Sequence, residues 1–136
     1  MAAPNIVNVA TINAKTDMFA LATTGAITIL TNASNSGVVV QVNSIYVANV
    51  DGTNNADISI DIHNGVATAG ASSSAAGVGF ALASTVVVPA DATVIVLDKN
   101  SPVFLEEAMS ISAAPSASGD LEVVISYQEI SLCLVN

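Results

Sequence analysis

The chain has 136 residues, of which 52% are apolar, 10% charged and 4% aromatic, and its net charge is −9. Lys15 and Lys99 are its only cations, too few to neutralise phosphates, which rules out direct nucleic-acid binding and disfavours anionic membranes. No apolar run reaches the roughly 18 residues of a bilayer span, and the single cysteine, Cys133, permits no internal disulfide.

This length suits one domain, with a core of Ala, Val, Ile and Leu of the kind that packs between sheets. With so few charges, the polar surface is built from Ser, Thr and Asn. Such a surface is cheap to desolvate, because a hydroxyl or amide that finds a partner is far less costly to bury than an ion. The composition therefore describes a chain that hides much of its exterior in an assembly.

Period-two patterning between turn signals runs along the sequence, without a helical period. Residues 1–16 mix polar and apolar and read as an extended N-terminal arm, leaving 17–136 as the domain. Residues 26–31 alternate, with Ile27 and Ile29 on one face, and 32–37 form a turn of Asn, Ser and Gly. In 38–50, Val38, Val40 and Val42 share one parity, whereas Ile45 and Val47 take the other. That requires a β-bulge near Asn43-Ser44, or burial of both faces. Residues 57–62 set three isoleucines inward and three polar groups outward, and 64–79 form a Gly/Ala/Ser loop. Further strands are expected at 80–88, 94–97, 102–105 and 109–113. The last strand points Leu121, Val123, Ile125 and Tyr127 inward and Glu122, Ser126 and Gln128 outward. About eight short antiparallel strands at spacings of about 10 residues predict an all-β single domain, a β-sandwich or jelly-roll-like barrel.

No constellation supports catalysis. His63 is the sole histidine and reads as a solvated strand-end residue, without a Ser–His–Asp or Cys–His motif around it. Cys133 reads as a small buried hydrophobe, and one Cys with one His cannot complete a zinc site. Glu106 and Glu107 point to opposite faces if extended and read as a solvated turn pair. Asp51, Asn54 and Asp57 are the calcium candidate, since that ion takes oxygen ligands from tight loops. Asp and Asn also favour such turns by bonding their own backbone, and that reading is preferred, so no metal or cofactor is expected.

Three segments carry a resemblance: Ser44-Ile-Tyr46-Val-Ala-Asn49-Val-Asp51-Gly52-Thr-Asn-Asn-Ala-Asp57; Val88-Pro89-Ala90-Asp91-Ala-Thr93 leading to Val103-Phe-Leu105-Glu106-Glu107; and Ala117-Ser-Gly119-Asp120-Leu-Glu122-Val-Val-Ile-Ser126-Tyr127-Gln-Glu129-Ile130-Ser131. In this order they resemble a family of small virion structural proteins of tailed bacteriophages, especially those of aquatic bacteria and cyanobacteria. Residues 66–79 depart from it, with a long Gly/Ala/Ser loop in place of a short polar hairpin.

The resemblance implies a non-enzymatic particle component. Best fitting is a capsid decoration, or cement, protein that binds the major capsid protein on the outside of the shell, often as a homotrimer. Neck, tail or fibre-attachment proteins are the alternative, and a host-carbohydrate-binding sandwich is a third reading. That third reading needs exposed aromatics, whereas Tyr46 and Tyr127 lie in strands and are expected in the core. Contacts with other copies are expected from the arm, through Asn5, Ile6, Val7, Val9 and Ile12, and from the apolar tail, through Leu132, Leu134 and Val135. For the tail, packing in its own subunit is an equal alternative. Met1-Ala2-Ala3-Pro4-Asn5 lacks the basic start and apolar run of a signal peptide, so assembly in the host cytoplasm is expected.

Overall fold

The alternating segments become nine β-strands in a computed structural model that describes residues 9–65 and 78–132. In chain order they are β1 (Val9–Ala20), β2 (Ile27–Asn32), β3 (Val38–Asn49), β4 (Ala56–His63), β5 (Gly79–Val88), β6 (Thr93–Leu97), β7 (Val103–Leu105), β8 (Met109–Pro115) and β9 (Leu121–Leu132). There is no helix among the described residues. Asn5, Ile6, Val7, Cys133, Leu134 and Val135 lie outside them, as do residues 66–77 of the expected loop.

The strands form two antiparallel sheets. One has the order β1-β9-β3-β6, with β7 also pairing with β3; the other has the order β2-β8-β4-β5. Their inner faces pack together as a β-sandwich. The first sheet contributes Val42, Ile45, Val47, Val123 and Ile125 to the core, and the second contributes Ile29, Ile58, Ile60, Val88 and Ile111. These are the β-branched side chains that fit a pleated, two-layer interior.

The register change required in β3 is present. Its pairing with β9 shifts between Val42 and Ser44, so Val42 and Ile45 both point inward although their parities differ. A second shift in β2, between Thr28 and Leu30, lets Ile29 and Leu30 both be buried. Residues 9–16 are extended, as expected of an arm, but they are also paired. They form the first part of β1, which is in register with β9 and continues to Ala20 across the expected boundary at 16/17.

β1 lies beyond the core. Only Val9, Asp17 and Phe19 on it are even half-buried. Its inward side chains are polar until Phe19: Lys15 pairs with Glu129 at 2.8 Å, and Asp17 accepts a hydrogen bond from Tyr127 Oη at 2.8 Å. Its outward side chains, Ile12, Ala14, Thr16 and Met18, carry no charge. The usual inside-out polarity of a half-buried strand is thus inverted on this edge.

Candidate interaction face

Strand register decides which side chains meet on the outer face of the larger sheet. Met18 lies opposite Val124, Val124 opposite Tyr46, and Tyr46 opposite Ile95. Val124 and Tyr46 alternate with buried core residues, and Met18 and Ile95 with half-buried ones, so the four make one apolar row across β1, β9, β3 and β6. Met18 is 75% exposed, Ile95 58% and Tyr46 40%. The next rows toward the start of β1 are Thr16, Ser126 and Ser44, then Ala14, Gln128, Gln41 and the exposed Phe104. In the other direction lie Ala20, Glu122, Ala48 and Thr93. Glu122 is the one formal charge in these rows, on a chain whose net charge is −9. A neutral face with exposed Met, Tyr, Ile and Phe has the composition of the buried centre of a protein–protein interface.

Tyr46, expected in the core, is exposed. The bulge explains this: it resets β3 so that Ile45 and Val47 take the inward positions and Tyr46 between them turns outward. Tyr127 does lie in the core, at 5% exposure. Of the expected contact residues, register brings Val9 opposite Leu132, and Ile12 is 57% exposed on the outer face. The exposed row of Met18, Tyr46 and Ile95 was not among the expected contacts. Its sequence signal was the uncharged even-numbered parity of residues 12–18, set against Asn13, Lys15 and Asp17.

The calcium candidate is a self-satisfied turn. Asp51 accepts from Thr53 N at 2.9 Å and from Asn54 Nδ2 at 3.0 Å. These bonds, the Asn54 amide foremost, hold the Asp51 carboxyl below its ordinary value of 3.8. Asp57 has entered β4, where its backbone N–H donates to Ser116 Oγ at 2.8 Å. Among the described residues no three His, Cys, Asp or Glu side chains gather in a metal-binding group.

His63 is buried, at 7% exposure, rather than solvated. The cause is Gly79 directly opposite: a Cβ there would lie 2.8 Å from His63 Cε1, so only a bare backbone leaves room for the ring. His63 Nε2 makes a 2.8 Å hydrogen bond with Ser112 Oγ, while His63 Nδ1 and Thr28 Oγ1 have no partner among the described residues. Ser112 is itself 3% exposed and lies mid-strand in β8, where backbone N–H groups serve the ladder rather than an oxyanion. Glu107 lies in the turn before β8, as expected, but it is half-buried and partnered. Its carboxylate accepts from Asn35 N at 3.2 Å and Gly37 N at 2.9 Å, clamping the β2–β3 turn.

No family model matches the chain, and no curated protein or solved structure matches it.

Proposed function

We propose that this chain is a non-enzymatic structural protein of a bacteriophage particle, a capsid decoration protein that binds the outside of the shell as an oligomer and stabilises it. The observation that carries the reading is the charge-poor outer face of the β1-β9-β3-β6 sheet, with Met18, Tyr46 and Ile95 exposed on it and Glu122 the one formal charge in its rows. The ordered resemblance of residues 44–57, 88–107 and 117–131 to tailed-phage virion proteins supplies the setting. Burial of such a face contributes roughly 25 cal/mol per Å² before association entropy is subtracted, and many copies on one shell multiply it by avidity. The acidic excess outside the face suits the exterior of a particle, where it keeps free copies soluble.

The non-enzymatic part rests on His63, whose one side-chain hydrogen-bond partner among the described residues is a serine enclosed in a sheet. Tyr46 and Phe104 are exposed aromatics of the kind a sugar could stack on, but they stand on a sheet face rather than in the concave site a small ligand needs.

Co-sedimentation with shells lacking the protein tests the reading. Binding at hundreds of copies, saturating in fixed ratio to the major capsid protein, is the expected result. A ring's worth of copies per particle would move the protein to the neck or tail. No binding to any particle component would overturn the reading.

A further inference from the structure

Of the four strands at the sheet edges, three are short or irregular. β5 pairs with β4 through two register shifts, and Thr85 within it has a left-handed φ of 46°. β2 has six residues and a shift between Thr28 and Leu30, and β6 has five residues. Short and bulged strands are how sheet proteins close their edges to further pairing. β1 is built differently. It has twelve residues, stays in unbroken register with β9 from Thr11 to Ala20, and residues 10–16 are all exposed. Among the described residues no strand lies on its other side.

The direction of its backbone groups follows from one bond. Leu21 N donates to Leu121 O at 3.0 Å, one step beyond Ala20 and Glu122, the last pair of the β1–β9 ladder. In an antiparallel ladder the N–H and C=O of one residue point to the same side, and that side alternates along the strand. Odd-numbered residues of β1 therefore bond to β9. Ile12, Ala14, Thr16, Met18 and Ala20 turn their N–H and C=O groups to the open side.

A second copy of β1, antiparallel about a two-fold axis, has to set these even-numbered residues opposite one another. With the axis beside Lys15, the two lysines face each other; beside Asp17, the two aspartates do. With the axis beside Thr16, Lys15 of each copy faces Asp17 of the other. Axes further along shorten the overlap and face both charges with neutral residues. In the Thr16 register the lysine–aspartate pairs are non-hydrogen-bonded ones, where facing side chains come closest, and like charges fall on the longer diagonals. Asp17 has a second carboxylate oxygen beside the Oδ2 that Tyr127 holds, and the Lys15 ammonium has donors beyond the one given to Glu129. On the outer side the same register sets Thr16 on Thr16, Met18 on Ala14 and Ile12 on Ala20, with each large side chain beside a small one. The even-numbered pairs from Ile12 to Ala20 exchange about ten backbone hydrogen bonds. The strand is complementary to itself in a register its backbone allows, which makes a second copy the occupant of this edge.

We infer that β1 pairs with β1 of a second copy, antiparallel about a two-fold axis at Thr16, joining the two larger sheets into one continuous sheet. The pairing goes beyond the shell-binding reading and does not depend on it. It uses the edge of the sheet, and it sets the outer faces of the two copies side by side. An isologous pairing closes at two copies, so the unit in solution is a dimer in place of the homotrimer that the family resemblance implies.

The test is the solution mass by light scattering. The wild-type chain should give twice its 13.6 kDa. Lys15→Glu alone sets carboxylates opposite each other twice, and Asp17→Lys alone does the same with ammonium groups, so each should weaken the dimer roughly tenfold or more. A one-to-one mixture of the two variants restores a lysine opposite a carboxylate at both places, and it should dimerise where neither variant does alone. Thr16→Pro leaves both charges and the ladder to β9 in place, because its N–H faces the open side. It should be a monomer whose circular dichroism is that of the folded sheet. Val87→Lys, on the opposite edge strand β5, should stay dimeric. A wild-type monomer at high concentration, a trimer, a mixture no better than its components, or a Thr16→Pro dimer overturns the inference. The measurement uses no shell, so it bears on the pairing alone.

Discussion

Tyr127 Oη donates to Asp17 Oδ2 at 2.8 Å, tying β9 to the edge strand β1 on the inward side of the sheet. Together with the Lys15–Glu129 ion pair it is what β1 has in place of apolar packing before Phe19. The ion pair is solvent-exposed and contributes little, so the tyrosine bond matters more. Tyr127→Phe should lower stability by about 1–2 kcal/mol, measured by urea unfolding.

The same bond gives a pH dependence. Burial, followed by the hydrogen bond and charge of Asp17, pushes the Tyr127 hydroxyl well above its ordinary value of 10.0. A group whose folded value is raised contributes stability that is present below the unfolded value and lost as pH rises toward the folded one. The wild-type unfolding midpoint should therefore fall as pH is raised past about 10, and Tyr127→Phe should flatten that fall. Equal slopes for the two proteins would contradict the assignment.

Gly79→Ala should destabilise for a steric reason. The added methyl would sit 2.8 Å from His63 Cε1 and 3.0 Å from Nδ1, forcing the ring away from Ser112. A loss of about 1–3 kcal/mol is expected. In a His63→Ala background the same change should cost much less, because the clash is gone. A double-mutant cycle measures the coupling.

Asn49 and Asn32 should be intolerant of change. Asn49 Nδ2 donates to Asn54 O at 2.9 Å and Val88 O at 3.0 Å, while its Oδ1 accepts from Asp51 N. Asn32 Nδ2 donates to Val38 O and Leu105 O, at 2.8 and 3.0 Å. Both side chains are buried, so removing either leaves strand-end carbonyls without a donor. Asn49→Asp keeps the shape but loses both donated bonds, and it should lower stability as Asn49→Ala does, by about 1–3 kcal/mol, measured by urea unfolding.

The Asp51 turn should be indifferent to calcium. Its carboxylate oxygens already accept from Thr53 and Asn54, so millimolar calcium or a chelator should leave the thermal midpoint unchanged. The depressed carboxyl works in the acid direction. Its contribution is present at neutral pH and is lost as pH falls through 3.8 and below, which an NMR titration of the Thr53 amide should follow. A calcium-dependent rise of several degrees would restore the metal reading.

Much of the sandwich was legible because its strands are buried on one face and alternate cleanly. Ile58 and Ile60 on β4 and Val123 and Ile125 on β9 point where the pattern sends them. Even the β3 bulge could be read, since two valine parities cannot share one face without it. What could not be read depends on partners distant in sequence. His63 is buried because Gly79, across the ladder, has no side chain. Glu107 finds its donors on the β2–β3 turn, seventy residues away for Gly37. Residues 9–16 looked like an arm because their apolar side chains point outward, the reverse of what marks a core strand. Lying in a strand points Tyr46 to the core as readily as to solvent, and it is the parity shifted by the bulge that turns it outward.

The central claim is that protein covers the outer face of the larger sheet when the molecule is at work. Oxidative footprinting of free and shell-bound protein tests it, reading Met18 and Tyr46 on that face against Phe80 on β5, all of them exposed in the single chain. The account predicts that Met18 and Tyr46 are protected in shell-bound protein while Phe80 is modified as in the free chain. Full modification of Met18 and Tyr46 on the particle, with Phe80 protected, would contradict it and turn attention to the other sheet.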